Sequence, residues 1–163
     1  TEPACSSRRC FKSLSIVSRV IDTDRLVCGL IADGIHLSPQ MFRLLHKALP
    51  ADLIYYTTDA ISAAGAPPGR YNVGPAEVEV GEDKVVRIPG QSNFAGSALS
   101  PAEAIHRSAE MLGRSWRDIW DFYSINAAKL VGLSAGLEPG CPADICEVIG
   151  DEQTAKSIQH VVG

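Results

Sequence analysis

Residues 25–59 read RLVCGLIADGIHLSPQMFRLLHKALPADLIYYTTD, and the three patterns that succeed one another in them decide the fold. RLVCGLIADG is a strand-like apolar run closed by the turn pair Asp33-Gly34. In SPQMFRLLHKALP, Ser38 supplies a side-chain oxygen at the N-cap. Pro39 sits at the first helical position, where its fixed φ and missing N–H do no harm. Met41, Leu44, Leu45 and Ala48 fall on one helical face, and Pro50 helps to stop the helix. DLIYYTTD is then a second strand. Strand, helix and strand in about 35 residues make one βαβ unit, with parallel strands and a right-handed crossover.

Beyond the Gly/Pro-rich loop AISAAGAPPGR the period changes to two. YNVG, AEVEVGEDKVVRI and PGQ read as short antiparallel strands: Val78 and Val80 alternate with Glu77 and Glu79, a Gly-Glu-Asp turn follows, then Val85, Val86 and Ile88. The glutamates form the wet face of this meander, which spans residues 71–90. Ser100, Pro101 and Glu103 give the capping-box pattern at the head of SPAEAIHRSAEML. A further helix, SWRDIWDFYSINAAKLVGL, is expected to break near Ser124–Asn126, with Asn126 capping a fresh turn. Trp116, Trp120, Phe122 and Tyr123 recur at helical spacing and are expected in the core. The tail CPADICEVIGDEQTAKSIQHVVG returns to short strands, while residues 1–20, rich in Ser, Arg and Cys, show no period and read as irregular. A single βαβ unit is too little for a whole parallel α/β architecture, whose complete eight-fold barrel takes ~250 residues. The chain reads as part of something larger.

Its 163 residues, 45% hydrophobic and 21% charged, suffice for a domain with a real core; at that size roughly 70% of the unfolded surface is buried. A net charge of -4 without a basic stripe argues against nucleic acid as a partner. No apolar run approaches the ~20 residues that span a bilayer, so no membrane association is expected. The start TEPACSSRRCFKSLS lacks the long apolar core of a secretory signal. The expectation is a soluble, intracellular, cytoplasmic protein. Five cysteines include the pairs Cys5/Cys10 and Cys141/Cys146, at the loose limit of zinc-finger spacing; scattered reduced thiols are the simpler reading.

Asp33, His36 and Asp59 are the residues that suggest chemistry. All three follow the C-terminal ends of consecutive parallel strands, the edge where α/β folds gather their sites. A histidine and a carboxylate on one rim could serve as substrate contact and general base. Each also has a plainer reading. Asp33 before Gly34 is a turn residue, His36 a satisfied loop histidine, and Asp59 a helix N-cap for AISAAG. In NFAGSALSP, small residues around Gly96 would let backbone approach a ligand, or simply lead into the helix at Ser100. His46 and His106 read as surface histidines, and His160 as exposed.

The segments LIADGIHLSPQMFRLLHKA, YYTTDAISAAGAPPGRYNVG, NFAGSALSPAEAIHR, NAAKLVGL and LEPGCPADICEV, in this order, resemble the C-terminal part of N-acetylglucosamine-6-phosphate deacetylases, members of the amidohydrolase superfamily. The resemblance runs from about Asp24 to the end. It implies an α/β fold: the last two strands of a metal-dependent (β/α)8 barrel over residues 24–135, with the meander inserted. Strands of a small accessory β-sandwich would follow over 136–163, after an irregular segment 1–23. It implies a hydrolase of amino-sugar catabolism that releases acetate from N-acetylglucosamine 6-phosphate. Asp59 would be the catalytic carboxylate, close to the metal and a possible ligand to it; His36, Phe94, Ala95 and Gly96 would bind substrate. The divalent metal, zinc by resemblance, would have most of its ligands (a glutamate and two histidines) outside this chain. The partner implied is a small sugar phosphate, with a homodimer where the full-length fold is present. Arg8, Arg9 and Arg19 are present, but none aligns with the family's phosphate-binding arginine. The chain therefore resembles an incomplete form of the enzyme, or a non-catalytic remnant that binds a partner or completes another subunit.

Overall fold

Ser38 and Pro39 act as their positions require. In the computed structural model, which describes residues 16–23, 25–91, 93–142, 144–151 and 155–162, the Ser38 hydroxyl accepts from the Met41 N–H and Pro39 opens a ten-residue helix. That helix, α2 (Pro39–Ala48), lies between β1 (Cys28–Ile31) and β2 (Ile54–Thr57). The two strands pair in parallel, with Cys28 opposite Ile54 and Ile31 opposite Thr57. β2 starts two residues later than the apolar run, because Ala51–Leu53 form a 3-10 turn.

The helical face differs from the one read in the sequence. Phe42, Leu45 and the cap residue Leu49 are buried, whereas Leu44 is 51% exposed and Ala48 also faces solvent. Both sets fit a helical period. The choice falls to the face with the aromatic ring, since burying Phe42 removes more apolar surface from water than burying Leu44 or Ala48.

Three further helices follow later in the chain. The capping box at Ser100 and Glu103 forms as expected and starts α3 (Pro101–Leu112), which Gly113 ends in the left-handed region. A second box at Ser115 and Asp118 starts α4 (Trp116–Tyr123). The expected break falls at Ser124, before α5 (Ile125–Leu130), but Asn126 is not the cap. Its Nδ2 instead donates to the carbonyls of Ala51 and Ile54, tying α5 to the entrance of β2. One large cluster unites these elements around Leu30, Phe42, Ile54, Tyr56, Trp116 and Ile119. His46, expected on the surface, is turned into its margin: its Nδ1 lies 2.5 Å from the Tyr56 hydroxyl and its ring meets Phe122 edge-on. Residues 16–22, expected to be irregular, are helical (α1), and Val17 and Val20 pack on the same cluster.

The region of period two is a four-stranded antiparallel sheet in the order β3 (Gly69–Val73), β4 (Ala76–Val80), β5 (Val85–Arg87), β6 (Phe94–Ser97). Val78 and Val80 are buried and Glu77 and Glu79 are exposed, as alternation requires. Pro89–Gly90 is a turn rather than strand. The fourth strand is the FAGS stretch, which has no strand period of its own and leads on to α3. The sheet has its own small core of Ala63, Val78, Val80, Val86 and Ala98.

The tail forms one antiparallel hairpin, β7 (Asp144–Gly150) with β8 (Ala155–Val162). Val148 and Ile158 reach the large cluster, and the Trp116 indole N–H donates to the Asp151 carbonyl at 2.9 Å. Among the described residues no helix is long and apolar enough to cross a membrane.

Candidate active site

The Asp33-Gly34 turn carries more than a change of direction. Asp33 is buried, 4% exposed, and its Oδ1 accepts from the backbone N–H groups of Ile35 and His36, both at 2.9 Å. Those bonds close an Asx turn, as the turn reading expects. The second oxygen, Oδ2, lies 2.6 Å from His36 Nδ1. Arg107, on α3, donates to the Asp33 carbonyl at 2.7 Å and holds the loop from the other side. A buried carboxylate needs such partners, and Asp33 has them.

Asp59 is treated differently. It lies two residues past the end of β2, with φ +51, a conformation that Asp tolerates better than most residues. No helix follows it, only turns over residues 62–65, so it is not an N-cap. Its backbone is fixed to β6: the Ser97 N–H donates to the Asp59 carbonyl at 3.0 Å, and the Ile61 N–H donates to the Ser97 carbonyl at 2.9 Å. Its side chain is exposed, and among the described residues its carboxylate has no ion pair or hydrogen bond. Water therefore solvates a charge that would be costly inside the strand layer.

β6 brings the third segment. Gly96 has φ +96, and a Cβ there would lie 2.6 Å from Ile61 Cγ2 and 3.5 Å from the Asp59 carbonyl oxygen. Glycine alone lets this strand lie against residues 59–61 without strain. At the strand's start Phe94, half exposed, places its ring 5.3 Å from that of His36, tilted by 60°. The structure thus links the residues singled out from the sequence along β6: His36, bonded to Asp33, lies against Phe94, and Asp59 is tied by its backbone to Ser97 beside Gly96. It adds Arg107 and Ser97, which carried no signal, because a helix-surface arginine and a strand-end serine acquire their contacts only through tertiary packing.

This rim offers a solvated carboxylate, an imidazole held by one nitrogen, an aromatic ring and a strip of strand backbone. Such a set can accept a proton from water and receive a polar ring-shaped ligand. Among the described residues no three His, Cys, Asp or Glu side chains converge where a metal ion could sit. Cys28, Cys141 and Cys146 are free thiols, whereas Cys5, Cys10, Arg8 and Arg9 lie outside the described residues. Arg19 lies on α1.

No family model matches the chain. It is 32% identical over 131 residues to N-acetylglucosamine-6-phosphate deacetylase of Danio rerio, which covers 78% of this chain and 32% of that protein. A shorter protein of Escherichia coli (strain K12), provisionally named N-acetylgalactosamine-6-phosphate deacetylase, is 33% identical over 119 residues, 71% of this chain and 70% of its own length. In three dimensions the chain is similar to N-acetylglucosamine-6-phosphate deacetylase from Thermotoga maritima, with a TM-score of 0.63 and 32% identity over 72% of this chain and 32% of that one. The chain spans about a third of the Danio rerio relative and of this solved structure. Sequence and fold agree that the chain belongs to the N-acetylglucosamine-6-phosphate deacetylase family, as a partial, C-terminal segment of its amidohydrolase α/β fold.

Proposed function

We propose that this chain carries one part of a site that removes the acetyl group from N-acetylglucosamine 6-phosphate, giving glucosamine 6-phosphate and acetate in the amino-sugar catabolism of the cytoplasm. The observation that carries this reading is that β6 ties His36 and Asp59 together: His36 packs on Phe94 at its start, and Asp59 is bonded through its backbone to Ser97 at its end. In this reading β1 and β2 are the last two strands of a (β/α)8 barrel over residues 24–135, with the four-stranded sheet inserted. The β7–β8 hairpin belongs to a small β-sandwich over 136–163, and the complete protein is a homodimer.

Hydrolysis of the acetamide needs a proton removed from water as its oxygen bonds to the carbonyl carbon. It then needs a proton delivered to nitrogen as the C–N bond breaks. Asp59 serves both steps, since the proton given up by water is the one the leaving amine requires. Its exposure gives water direct access. His36 and the Phe94–Gly96 strip hold the sugar so that the acetamide faces Asp59.

The divalent metal of this reading, zinc by resemblance, would polarise the amide carbonyl. The described residues do not fit it by themselves. Asp59 is a single donor, whereas catalytic zinc sites use three protein ligands, so further donors would have to come from outside this segment.

The test is acetate release from N-acetylglucosamine 6-phosphate by the purified chain with added zinc, and in parallel from the N-acetylgalactosamine epimer. Turnover that disappears in Asp59→Asn, with substrate binding retained, supports the assignment; an active Asp59→Asn protein refutes it. That Asp59 is a single donor among the described residues favours a second reading, a non-catalytic module that binds the sugar phosphate or completes another subunit. A folded chain that binds without turnover supports that one.

A further inference from the structure

We infer that Asp33 is a positioning residue that locks His36 in the Nδ1–H tautomer and leaves Nε2 as the ring nitrogen that meets the substrate. The inference rests on the deacetylase reading for its substrate, and on geometry alone for the tautomer. Asp33 Oδ1 is occupied by two backbone N–H donors, from Ile35 and His36, so the carboxylate cannot rotate to swap its oxygens without breaking both bonds. Oδ2 is thereby aimed at His36 Nδ1, 2.6 Å away. A carboxylate is an acceptor only, so the hydrogen between them belongs to Nδ1.

The rest of the loop is held as firmly. Asp33 is 4% exposed, and the Arg107 guanidinium fixes its carbonyl from α3. Phe94 lies against the His36 ring, 5.3 Å between centroids. With the Nδ1 edge bonded and the ring packed on Phe94, the imidazole can neither flip nor swing freely. Nε2, which has no hydrogen-bond partner among the described residues, is the polar ring atom that remains. In the neutral ring it is an acceptor, and it fits a hydroxyl or amide N–H of the sugar. This is the arrangement in which an outer carboxylate sets the orientation of a working histidine.

Asp33→Asn tests the lock. Its amide oxygen would take the two backbone N–H bonds, which leaves the NH2 group facing Nδ1 as a donor. His36 would then have to carry its proton on Nε2. The chain has four histidines, so the ring-15N spectrum is recorded at pH 8 with His36→Gln to identify the resonances. The expected wild-type pattern is a protonated Nδ1 with an unprotonated Nε2, inverted in Asp33→Asn. An Nε2–H or averaged pattern in the wild type overturns the inference even if the variant fails to fold, and so does a folded variant that keeps the wild-type pattern. In the same samples Asp33→Asn should weaken binding of N-acetylglucosamine 6-phosphate about tenfold with circular dichroism unchanged; unaltered affinity removes the positioning role. If the wild type has the Nδ1–H pattern and binds no sugar phosphate, the failure belongs to the deacetylase reading and the tautomer lock stands.

Discussion

The α/β unit and the four-stranded sheet solve the same problem with different material. The first buries large side chains from two parallel strands and several helices around Phe42, Leu30, Ile54 and Ile119. The second closes on valines and alanines, with Val86 and Val80 its most enclosed large residues. Burial scales with side-chain size, so the larger stabilisation lies in the α/β unit. The candidate site belongs to neither. His36 comes from the first region and Phe94–Gly96 from the second, while Asp59 lies where β2 is stitched to β6. A rim assembled this way depends on both cores and on the few bonds between them.

The contrast breaks most visibly at the cores. Phe42→Ala, at a site with no solvent exposure, should cost about 3–5 kcal/mol, the usual range for removing a buried phenylalanine. Val86→Ala, equally enclosed, removes less and should cost about 2 kcal/mol. Urea titration followed by tryptophan fluorescence reads both, and both tryptophans, Trp116 and Trp120, belong to the α/β unit. Equal losses would mean that the two cores do not differ as their side chains suggest.

The seam is probed at Gly96. Gly96→Ala meets Ile61 Cγ2 and takes an alanine to φ +96, at a cost of about 1–3 kcal/mol. Adding Ile61→Ala should return the steric part and leave the backbone part. A double mutant no more stable than Gly96→Ala would show that the contact is not the cause.

The smallest effect concerns pH. Burial, followed by the charge of Arg114, holds the His46 pKa below the ordinary 6.5. A histidine that resists protonation when folded contributes stability that is full above about 6.5 and is lost as pH falls from there towards its lowered value. Stability should therefore decline as pH falls below about 6.5. His46→Gln, which keeps an acceptor without a proton to gain, should flatten that slope. A slope unchanged in the variant would assign the decline to other groups.

What the sequence disclosed was what is decided locally. Ser38, Pro39, Ser100 and Glu103 act within four residues of themselves, and the alternation of Val78 and Val80 with glutamates needs no distant partner. The buried face of α2 is not decided locally, because Phe42 and Leu44 fit the period equally well and only the opposing strands choose between them. Asn126 and His46 took roles set by groups 72 and 10 residues away, Ile54 and Tyr56. At the site, Asp33 was legible as a turn former, but its bond to His36 was not. The FAGS stretch was legible as permissive to close approach and not as a strand, since its pairing partner is β5.

The account's central claim is that the two regions meet in one sugar-phosphate site. The direct measurement is a titration of the 15N-labelled chain with N-acetylglucosamine 6-phosphate, followed by backbone amide shifts. The account predicts that His36, Asp59 and Phe94–Gly96 move together along one saturation curve, and that residues of the β7–β8 hairpin stay still. Shifts confined to one region, or a folded chain with none, would contradict it.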